Sequence, residues 1–390
     1  MKSNSRFIPV LMYFVIAFGG IVVDIIVPSL PAIQKAFSSS ETMIQWAFAA
    51  AMIGFGVGQF LAGFVVDAYG RKKPMLIGSA LLVIFLLLTV IAPSVQYVIL
   101  FRFIQGVSVS FISVGGRAVI KDIYSGDAYL KAINWMTISF ALGITMSPFV
   151  GAYLLALFNW QTIFVSLAVC VFIGLLLVMT YFKETHTNYQ PLRYERIKSN
   201  ASEMLSSRSF VISAVICGIF YSILPAFNTV SPFLIQTKLG YSPVYYGYIA
   251  LFLAVCWLLG NITNRVLFQV SASRKTMVSL VVSFVVTLAS VIYMQLIGMT
   301  LAIFIAPVAV IIYTLGMLFP LYLGRALAPF NHIAGIANAT VFSGCWIATA
   351  LVSLIASSLP SSSAEPLLIM YLILILLVLK IYPINLKVRA

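Results

Sequence analysis

Long apolar segments recur along this chain from near its beginning to near its end. About twelve of them reach the roughly 20 mostly apolar residues that an α-helix needs to cross the hydrocarbon core of a bilayer. With 62% hydrophobic and 8% charged residues and a mean hydropathy of +1.09, the sequence lies outside the range of soluble globular proteins. We therefore predict an all-α polytopic membrane protein whose length is almost entirely used by helices.

The predicted spans form two sets of six, separated by the longest polar stretch in the chain. This pattern predicts an N-terminal six-helix bundle at 1–182, a cytoplasmic linker at 183–208 and a C-terminal six-helix bundle at 209–390. The predicted spans are 7–28, 43–66, 75–93, 96–119, 132–157 and 161–182 in the first set, and 209–231, 244–267, 275–297, 300–324, 334–358 and 365–384 in the second.

The net charge of +14 is explained by the topology rather than by binding of nucleic acid. Lysines and arginines are dispersed along short loops instead of being gathered on one soluble face. When the N-terminus is placed inside, the outer loops receive only Lys35 and Lys238, and the cytoplasmic side receives nearly all the rest. We therefore expect both termini to be cytoplasmic. The first apolar run is long and lacks a small-residue cleavage site, so we expect it to remain as an anchor.

The two sets of spans resemble each other at matching offsets. DIIVPSL at 24–30 ends the first span and NTVSPFL at 228–234 ends the seventh, and in each a polar residue precedes a proline by four positions. A basic turn follows the second span at 71–73, and another follows the eighth at 274–275. Duplicated bundles are common in transporters, which bind their substrates between the repeats. The simplest prediction is a pair of pseudo-symmetric six-helix bundles.

Four motifs in the first half carry a family resemblance. GQFLAGFVVDAYGRKKPMLIG at 58–78 resembles the loop signature of the major facilitator superfamily, and RFIQG at 102–106 resembles its fourth-helix motif. GITMSPFVGAYLLALFNWQTIF at 143–164 is similar to the fifth-helix antiporter motif of drug exporters, and DIIVPSLPAI at 24–33 is similar to the bicyclomycin and chloramphenicol exporter group. The matching positions are Gly63, Asp67, Gly70, Arg71 and Lys72, then Arg102, Gln105 and Gly106, then Gly143, Pro148, Gly151, Trp160 and Phe164.

This resemblance implies the major facilitator fold and a proton-coupled exporter that works by alternating access. The expected substrate is a drug-like or amphipathic small molecule, and the expected location is a bacterial cytoplasmic membrane. Within transport, the alternative is a dedicated exporter of one metabolite, such as a siderophore or a sugar. We expect a monomer in contact with lipid, protons and substrate, without a cofactor, a metal or nucleic acid.

Asp24 is the most deeply placed of the nine acidic residues. An ionised carboxylate in the bilayer costs roughly 2.5 to 3.5 kcal/mol on insertion scales, so it needs a partner, a proton or an interior position. Tyr13, Ala17, Gly20 and Asp24 share one helix face by their spacing, which predicts that the carboxylate faces a cavity. On the fourth span, Arg102 lies at a similar depth, on a face that continues through Gly106, Ser110, Ser113 and Arg117.

We hypothesise that Arg102 lies near Asp24 and lowers its proton affinity while burial raises it. The balance would change as the cavity opens to one side or the other, which would make Asp24 a proton carrier. The alternatives are a structural ion pair, or an aspartate that caps a frayed helix end close to Pro28.

The loop signature predicts a conformational latch on the cytoplasmic side. Gly70 permits a tight reversal, and Arg71 is placed to pair with Asp67 or Asp122. The alternative for the basic residues is simple anchoring by positive charge. The predicted latch consists of Gly63, Asp67, Gly70, Arg71, Lys72, Arg117 and Asp122. In the fifth span, Gly143, Pro148 and Gly151 are predicted to admit a neighbouring helix and to allow bending.

Aromatic and amide side chains inside the spans are the candidates for substrate contacts. Aromatic walls with a few amides suit amphipathic, weakly charged or cationic compounds, although membrane aromatics often serve only packing or an interfacial belt. The candidates are Tyr13, Gln105, Tyr221, Asn228, Trp257, Asn261, Asn338 and Trp346.

Two other function classes find little support in the sequence. An intramembrane enzyme needs paired aspartates, a serine with a histidine, or HExxH ligands inside spans, and none of these patterns is visible. A channel would be expected to show a filter-like loop or charged rings. The four cysteines are isolated from one another within spans, without the spacing of a metal site.

Overall fold

The computed structural model describes residues 7–186, 202–360 and 362–387. The regular structure in these ranges is helical, and twelve helical segments among them are long and apolar enough to cross a bilayer. The prediction of an all-α membrane protein with twelve spans is confirmed.

The first six spans are built from seven helices, because a short turn at Val27–Ser29 interrupts the first span. The helices are α1 (Phe7–Asp24), α2 (Leu30–Ala36), α3 (Glu41–Tyr69), α4 (Lys72–Val90), α5 (Val95–Ile123), α6 (Gly126–Leu157) and α7 (Trp160–Tyr181).

The last six spans follow the same order, and a π-helical turn at Phe233–Lys238 extends the seventh span. The helices are α8 (Arg208–Pro232), α9 (Pro243–Val266), α10 (Ala272–Ile297), α11 (Leu301–Leu327), α12 (Ala334–Ser357) and α13 (Glu365–Lys387).

Several helices are preceded by a residue whose side chain accepts a hydrogen bond from a backbone N–H group in the first turn. Such caps matter because these donors have no partner within the helix. The capping residues, each followed by the residue whose backbone N–H donates to it, are Ser40 (Met43), Asn159 (Thr162), Ser207 (Phe210), Ser242 (Tyr245), Ser271 (Arg274) and Thr300 (Ile303).

The first span of each set changes its helical geometry at the proline that the repeat aligns. Pro28 has no N–H to donate to the carbonyl of Asp24, so α1 ends at Asp24 and the chain passes through a tight turn into α2. Pro232 is the last residue of α8, and the π-helical turn follows it. Both spans therefore run further than 7–28 and 209–231, where the prediction had ended them near these prolines.

Glycines bring the second and fourth spans of each set into backbone contact. A Cβ on Gly54 would collide with the carbonyl of Phe103, and one on Gly106 would collide with the carbonyl of Ala51. In the second set, Gly260 faces the carbonyl of Tyr313, and Gly316 faces the carbonyl of Trp257. The same reciprocal contact thus joins α3 to α5 and α9 to α11, which supports the internal duplication.

The chain divides into two compact units, residues 1–193 and 194–390. The division falls within the stretch 183–208 that the sequence predicts to be a linker. Each unit contains one set of six spans with its own buried apolar core.

Candidate functional site

Arg102 holds the broken end of α1. Its Nη1 donates to the carbonyl of Val22 at 2.8 Å, and its Nη2 donates to the carbonyl of Val23 at 3.1 Å. The last carbonyls of a helix lack partners within the helix and carry the negative end of its dipole. A guanidinium suits this position because it supplies both hydrogen bonds and positive charge.

Asp24 and Arg102 form a buried charged pair. The Asp24 residue is 5% exposed and the Arg102 residue is fully buried, and the two charges interact electrostatically. An arginine stays protonated in proteins, so its burial is costly without a nearby anion. The structure therefore brings together the two residues that the sequence singled out for proton coupling. It also supplies Arg102 with the backbone carbonyls of α1, which the sequence did not indicate.

Gln105 fixes the other side of the Arg102 guanidinium. Its Oε1 accepts a hydrogen bond from Arg102 Nη1 at 3.0 Å, and its Nε2 donates to Thr89 Oγ1 at 2.8 Å and to the carbonyl of Phe85 at 2.9 Å. The side chain is fully buried and bonded at both ends of its amide. Its polar atoms are thus engaged with α4 and α5 in this conformation, and contact of Gln105 with substrate stays a prediction.

The small residues on the predicted cavity face of α1 pack against α6 instead. A Cβ on Gly20 would lie 2.8 Å from the backbone nitrogen of Ile144, and one on Gly143 would lie 2.5 Å from the carbonyl of Ala17. On α5, Ser110 likewise packs on α3, where its hydroxyl donates to the carbonyl of Phe55 at 2.9 Å. The equal spacing that suggested a cavity lining is therefore better explained by helix packing at these positions.

The fifth-span motif places α6 directly on the turn that carries Asp24. Gly151 faces the carbonyl of Ile25. Gly143, which comes earlier on α6, faces the carbonyl of Ala17 on α1. Pro148 lies inside α6, which continues as one helix through Leu157. The predicted close packing is found at both glycines, and the bending of α6 at Pro148 stays a prediction.

Arg71 joins three helices at the cytoplasmic end predicted for this half. Its Nη1 donates to Asp67 Oδ1 at 3.0 Å and to the carbonyl of Val66 at 2.9 Å. Its Nε donates to Asp122 Oδ2 at 3.0 Å, which links the loop after α3 to the end of α5. Both pairings that the sequence offered as alternatives occur together. Because the Arg71 residue is only 6% exposed, this ion-pair cluster is partly shielded from solvent.

Glu184 completes this cluster, and the sequence reasoning missed it. Its carboxylate accepts the backbone N–H of Arg71 at 3.0 Å and that of Lys72 at 2.9 Å, at the start of α4. Partial burial raises the pKa of Glu184, but hydrogen bonds from four backbone N–H groups outweigh this effect and hold the pKa below its usual value. The signal in the sequence was a single acid just after the sixth span.

Gly70 is required where Glu184 docks. Its φ is +87°, a backbone conformation that side chains disfavour, and a Cβ there would lie 2.6 Å from Glu184 Oε2. The contacts continue from Thr185, whose hydroxyl donates to Asp122 Oδ2 at 3.0 Å, and from His186, whose Nε2 lies 3.1 Å from the carbonyl of Asp67. The segment after α7 thus closes over the turn between α3 and α4.

The remaining residues of the predicted latch occupy different places. Lys72 donates its Nζ to the carbonyl of Met179 at 3.0 Å, so it ties α4 to the end of α7. Arg117 donates its Nε to the carbonyl of Ser113 on its own helix at 3.2 Å. A Cβ on Gly63 would meet no described atom within 4 Å. Gly63 thus makes no close contact among the described residues that calls for a glycine in this conformation, and its part in the latch stays a prediction.

In the second half, a neutral set of side chains occupies the position that the repeat aligns with Asp24. Tyr246 donates its hydroxyl to Asn228 Oδ1 at 3.3 Å and lies 3.0 Å from the hydroxyl of Ser231. Asn228 is 5% exposed and Tyr246 is fully buried. Asn228, a predicted substrate contact, is thus covered by Tyr246 in this conformation.

Four rings meet where α8, α11 and α12 pack together. The Tyr221 ring centroid lies 5.3 Å from that of Trp346, 5.7 Å from that of Phe319 and 6.4 Å from that of Phe342. We call these four residues the aromatic quartet. Tyr221 and Trp346 were predicted substrate contacts, whereas Phe319 and Phe342 were not singled out, because a phenylalanine in an apolar span carries no distinguishing signal.

The other predicted substrate contacts lie elsewhere. Asn261 donates its Nδ2 to the carbonyl of Trp257 at 2.9 Å, one turn earlier on α9, and that carbonyl also faces Gly316. Asn338 is half-buried on α12, and Tyr13 is half-buried on α1. The eight candidates thus lie on five helices, α1, α5, α8, α9 and α12, and only two of the eight meet in the aromatic quartet.

Comparison with known proteins adds a family match and several relatives. The profile of the Major Facilitator Superfamily matches residues 11–353. The uncharacterized MFS-type transporter YdgK of Bacillus subtilis (strain 168) is 27% identical over 330 residues, which cover 82% of this chain and 81% of YdgK. Multidrug resistance protein MdtL of Shigella dysenteriae serotype 1 (strain Sd197) is 24% identical over 322 residues, which cover 82% of this chain and 80% of MdtL. The crystal structure of a D-xylose-proton symporter shares the fold, with a TM-score of 0.76 at 15% identity over 97% of each chain.

Proposed function

Because the chain belongs to the Major Facilitator Superfamily, as its motifs predicted, we propose that it is a proton-coupled exporter of small amphipathic or drug-like compounds. It works by alternating access of its two six-helix units, as a transporter and not as an enzyme. The relatives that support export include MdtL, which is described as a multidrug resistance protein.

The observation that carries the proposal is the buried pair of Asp24 and Arg102. Arg102 keeps its charge, so the net charge of the pair is zero when Asp24 is ionised and positive when Asp24 is protonated. A change of one unit of charge in a low-dielectric site alters the relative stability of two conformations far more than the same change in water. Asp24 is thus suited to carry the proton that drives export.

In the proposed cycle, Asp24 takes a proton when its site is open to the outer side and loses it when the site is open to the cytoplasm. A substrate bound from the cytoplasm is released outside in the opposite phase. The position of Asp24 at the end of α1 supports access from the outer side, given the predicted cytoplasmic N-terminus.

Arg71 and its partners Asp67, Asp122 and Glu184, which we call the Arg71 cluster, provide the two-state element that such a cycle needs. The cluster links α3 and α5 through hydrogen bonds from the Arg71 guanidinium to two carboxylates, and it links the segment after α7 through hydrogen bonds from backbone N–H groups to the Glu184 carboxylate. Such bonds to charged groups either form with good geometry or break. We propose that it latches one conformation on the cytoplasmic side.

The aromatic quartet supports the proposed substrate class. Stacked and edge-on rings bind planar apolar groups, and their faces attract organic cations. Tyr221 and Phe319 are half-buried, so part of this surface remains accessible in this conformation. We propose that the exporter resides as a monomer in a bacterial cytoplasmic membrane, with both termini in the cytoplasm.

A susceptibility panel tests the proposal. The chain is expressed in an efflux-deficient bacterium, and growth is measured against amphipathic antibiotics and dyes, with ethidium accumulation followed with and without a protonophore. We expect raised tolerance to several compounds and low ethidium accumulation that rises when the protonophore is added. Tolerance to one compound alone would indicate a dedicated exporter, and unchanged tolerance and accumulation throughout would contradict export.

A further inference from the structure

The turn between α9 and α10 contains a buried cation that is held by a neutral amide. Lys275, in the first turn of α10, is 7% exposed, and its Nζ donates to Asn264 Oδ1 at 2.9 Å. An ammonium group has three N–H donors, of which this bond uses one. Among the residues that the structure describes, no carboxylate forms an ion pair with Lys275. A buried cation is costly in such a place unless an anion reaches it.

The matching turn of the first unit has the anions that the second unit lacks. Lys275 follows Arg71 by 204 positions, the same offset that relates the aligned residues Asp24 and Asn228. Three carboxylates bond to the side chain or the backbone of Arg71. The sequence from 209 to 384 has a single acid, Glu365, which begins α13 on the opposite side of the predicted topology. The second unit thus keeps the cation of this turn without the acids.

Other groups add positive charge at the same turn. The N-terminus of α10 is the positive end of a helix dipole, and Arg274 is exposed in its first turn, which has no acid. Arg265 is exposed in the last turn of α9. Cations are unfavourable at a helix N-terminus, whereas an anion there is stabilised by the dipole and by charge-assisted hydrogen bonds. The turn therefore has the charge that a phosphate group requires.

The tip of this turn is apolar and exposed. Val266 is 70% exposed, Phe268 is 74% exposed, and Leu267 between them is exposed as well. Exposed apolar side chains beside basic ones are typical of segments that lie in the headgroup region of a bilayer. A phosphate ion in solution would gain nothing from these side chains, whereas the acyl chains of a lipid would cover them. The combination favours a phosphate that is carried by a lipid.

We propose that the turn between α9 and α10 binds an anionic phospholipid of the cytoplasmic leaflet, whose phosphate pairs with Lys275 and Arg274 and whose acyl chains cover the apolar tip. The lipid gives the second unit the negative charge that Asp67, Asp122 and Glu184 give the first. Basic sites on the cytoplasmic side of membrane proteins are suited to such headgroups. This inference goes beyond the proposed function and takes from it only the orientation in the membrane.

Lipid titration of the purified, delipidated full chain in detergent tests the site. Phosphatidylglycerol, phosphatidylcholine with the same acyl chains, and inorganic phosphate are added separately, and the thermal unfolding midpoint is measured. A ligand that binds the folded protein raises this midpoint. We expect phosphatidylglycerol to raise the midpoint of the wild type more than phosphatidylcholine does, and inorganic phosphate to leave it unchanged. Native mass spectrometry gives the apparent dissociation constant of the first phosphatidylglycerol bound.

Three variants that each lower the net charge by one unit locate the binding. Lys275→Gln removes the buried cation and should weaken phosphatidylglycerol binding about ten-fold, in the range of a hydrogen bond to a charged group. Asn264→Asp keeps every cation but gives Lys275 a carboxylate within the protein, so it should weaken binding by a similar factor. The matched control is Lys73→Gln, which removes an exposed cation at the corresponding turn of the first unit and should bind like the wild type. Asn264→Asp carries the test if Lys275→Gln does not fold.

The outcomes separate this lipid site from simple charge attraction and from export. Equal weakening in all three variants would mean that net charge alone matters, and unchanged binding in Lys275→Gln or in Asn264→Asp would show that Lys275 holds no lipid. Equal stabilisation by phosphatidylcholine would overturn the anionic headgroup, and stabilisation by inorganic phosphate without phosphatidylglycerol would overturn the lipid. Failure of export in a chain that binds phosphatidylglycerol through Lys275 would contradict the proposed function alone.

Discussion

Gly151 of α6 lies directly against the carbonyl oxygen of Ile25, the residue that follows Asp24. The turn that carries the buried carboxylate is therefore supported from one side by Arg102 and from the other by α6. A side chain at position 151 has no room unless the two backbones move apart.

We predict that Gly151→Ala destabilises the first unit. Overpacking of a tight contact costs about 1 to 3 kcal/mol, so the thermal unfolding midpoint in detergent should fall. The matched control is Gly63→Ala, because a Cβ there meets no described atom within 4 Å and alanine is the better helix former. An unchanged midpoint in Gly151→Ala would show that α6 does not need this close approach.

Glu184→Gln tests the segment that closes over the Arg71 turn. The charge of Glu184 is favoured by four backbone N–H groups, and caps of this kind contribute about 1 kcal/mol or less when solvent screens them. Because the pKa of Glu184 is lowered in the folded state, its contribution is present above the ordinary pKa of a glutamate and is lost as the pH falls through the lowered value.

We therefore expect the variant to unfold at a lower temperature than the wild type at neutral pH, with the difference vanishing in strongly acidic buffer. The measurement is thermal unfolding of both proteins across a pH series. A difference that persists undiminished at the acidic end would mean that the charge of Glu184 is not responsible.

A third prediction concerns the number of protons exchanged per substrate. The repeat places neutral Asn228 where the first half has Asp24, and the sequence of the second set of spans, 209–384, contains a single acid, Glu365, at the start of α13. One proton per cycle is thus expected. Exchange of one proton for one monovalent cation moves no net charge across the membrane, whereas exchange of one proton for a neutral compound moves one positive charge across it.

Charge movement in proteoliposomes checks this expectation. With a permanently cationic substrate from the susceptibility panel, such as ethidium if it is exported, a pH gradient should drive transport without electrical current. A sustained current with that substrate would require more than one proton per cycle and would contradict the single-carboxylate account.

Sequence reasoning succeeded where local patterns determine the structure. Twelve spans follow from apolar length alone, because a continuous apolar segment of about 20 residues can satisfy its own backbone polar groups in a bilayer by forming a helix. The pairing of Asp67 with Arg71 follows from their four-residue spacing across a tight turn. The end of α1 close to Pro28 follows from the missing N–H of proline, whereas the continuation of the first span to Ala36 was not predicted.

The parts that could not be predicted depend on partners that are distant in the chain. Glu184 binds backbone N–H groups more than a hundred positions away, and backbone donors leave no trace in side-chain patterns. Gln105 was predicted to contact substrate because an amide in a span suggests a cavity, and its hydrogen bonds within the first unit were not predicted. Its amide is held by Arg102 and by Thr89 and the carbonyl of Phe85 on another helix, and neither Thr89 nor Phe85 belongs to a motif.

The central claim is that Asp24 carries the proton that drives export. The most direct test compares wild type, Asp24→Asn and the exposed control Asp127→Asn in everted vesicles under an imposed pH gradient, with the compound that the wild type exports most strongly in the panel. We predict that Asp24→Asn loses at least about ten-fold of its gradient-driven transport, in the range that loss of a positioned proton-transfer group causes, while Asp127→Asn transports like the wild type. Undiminished gradient-driven transport by Asp24→Asn would contradict the account.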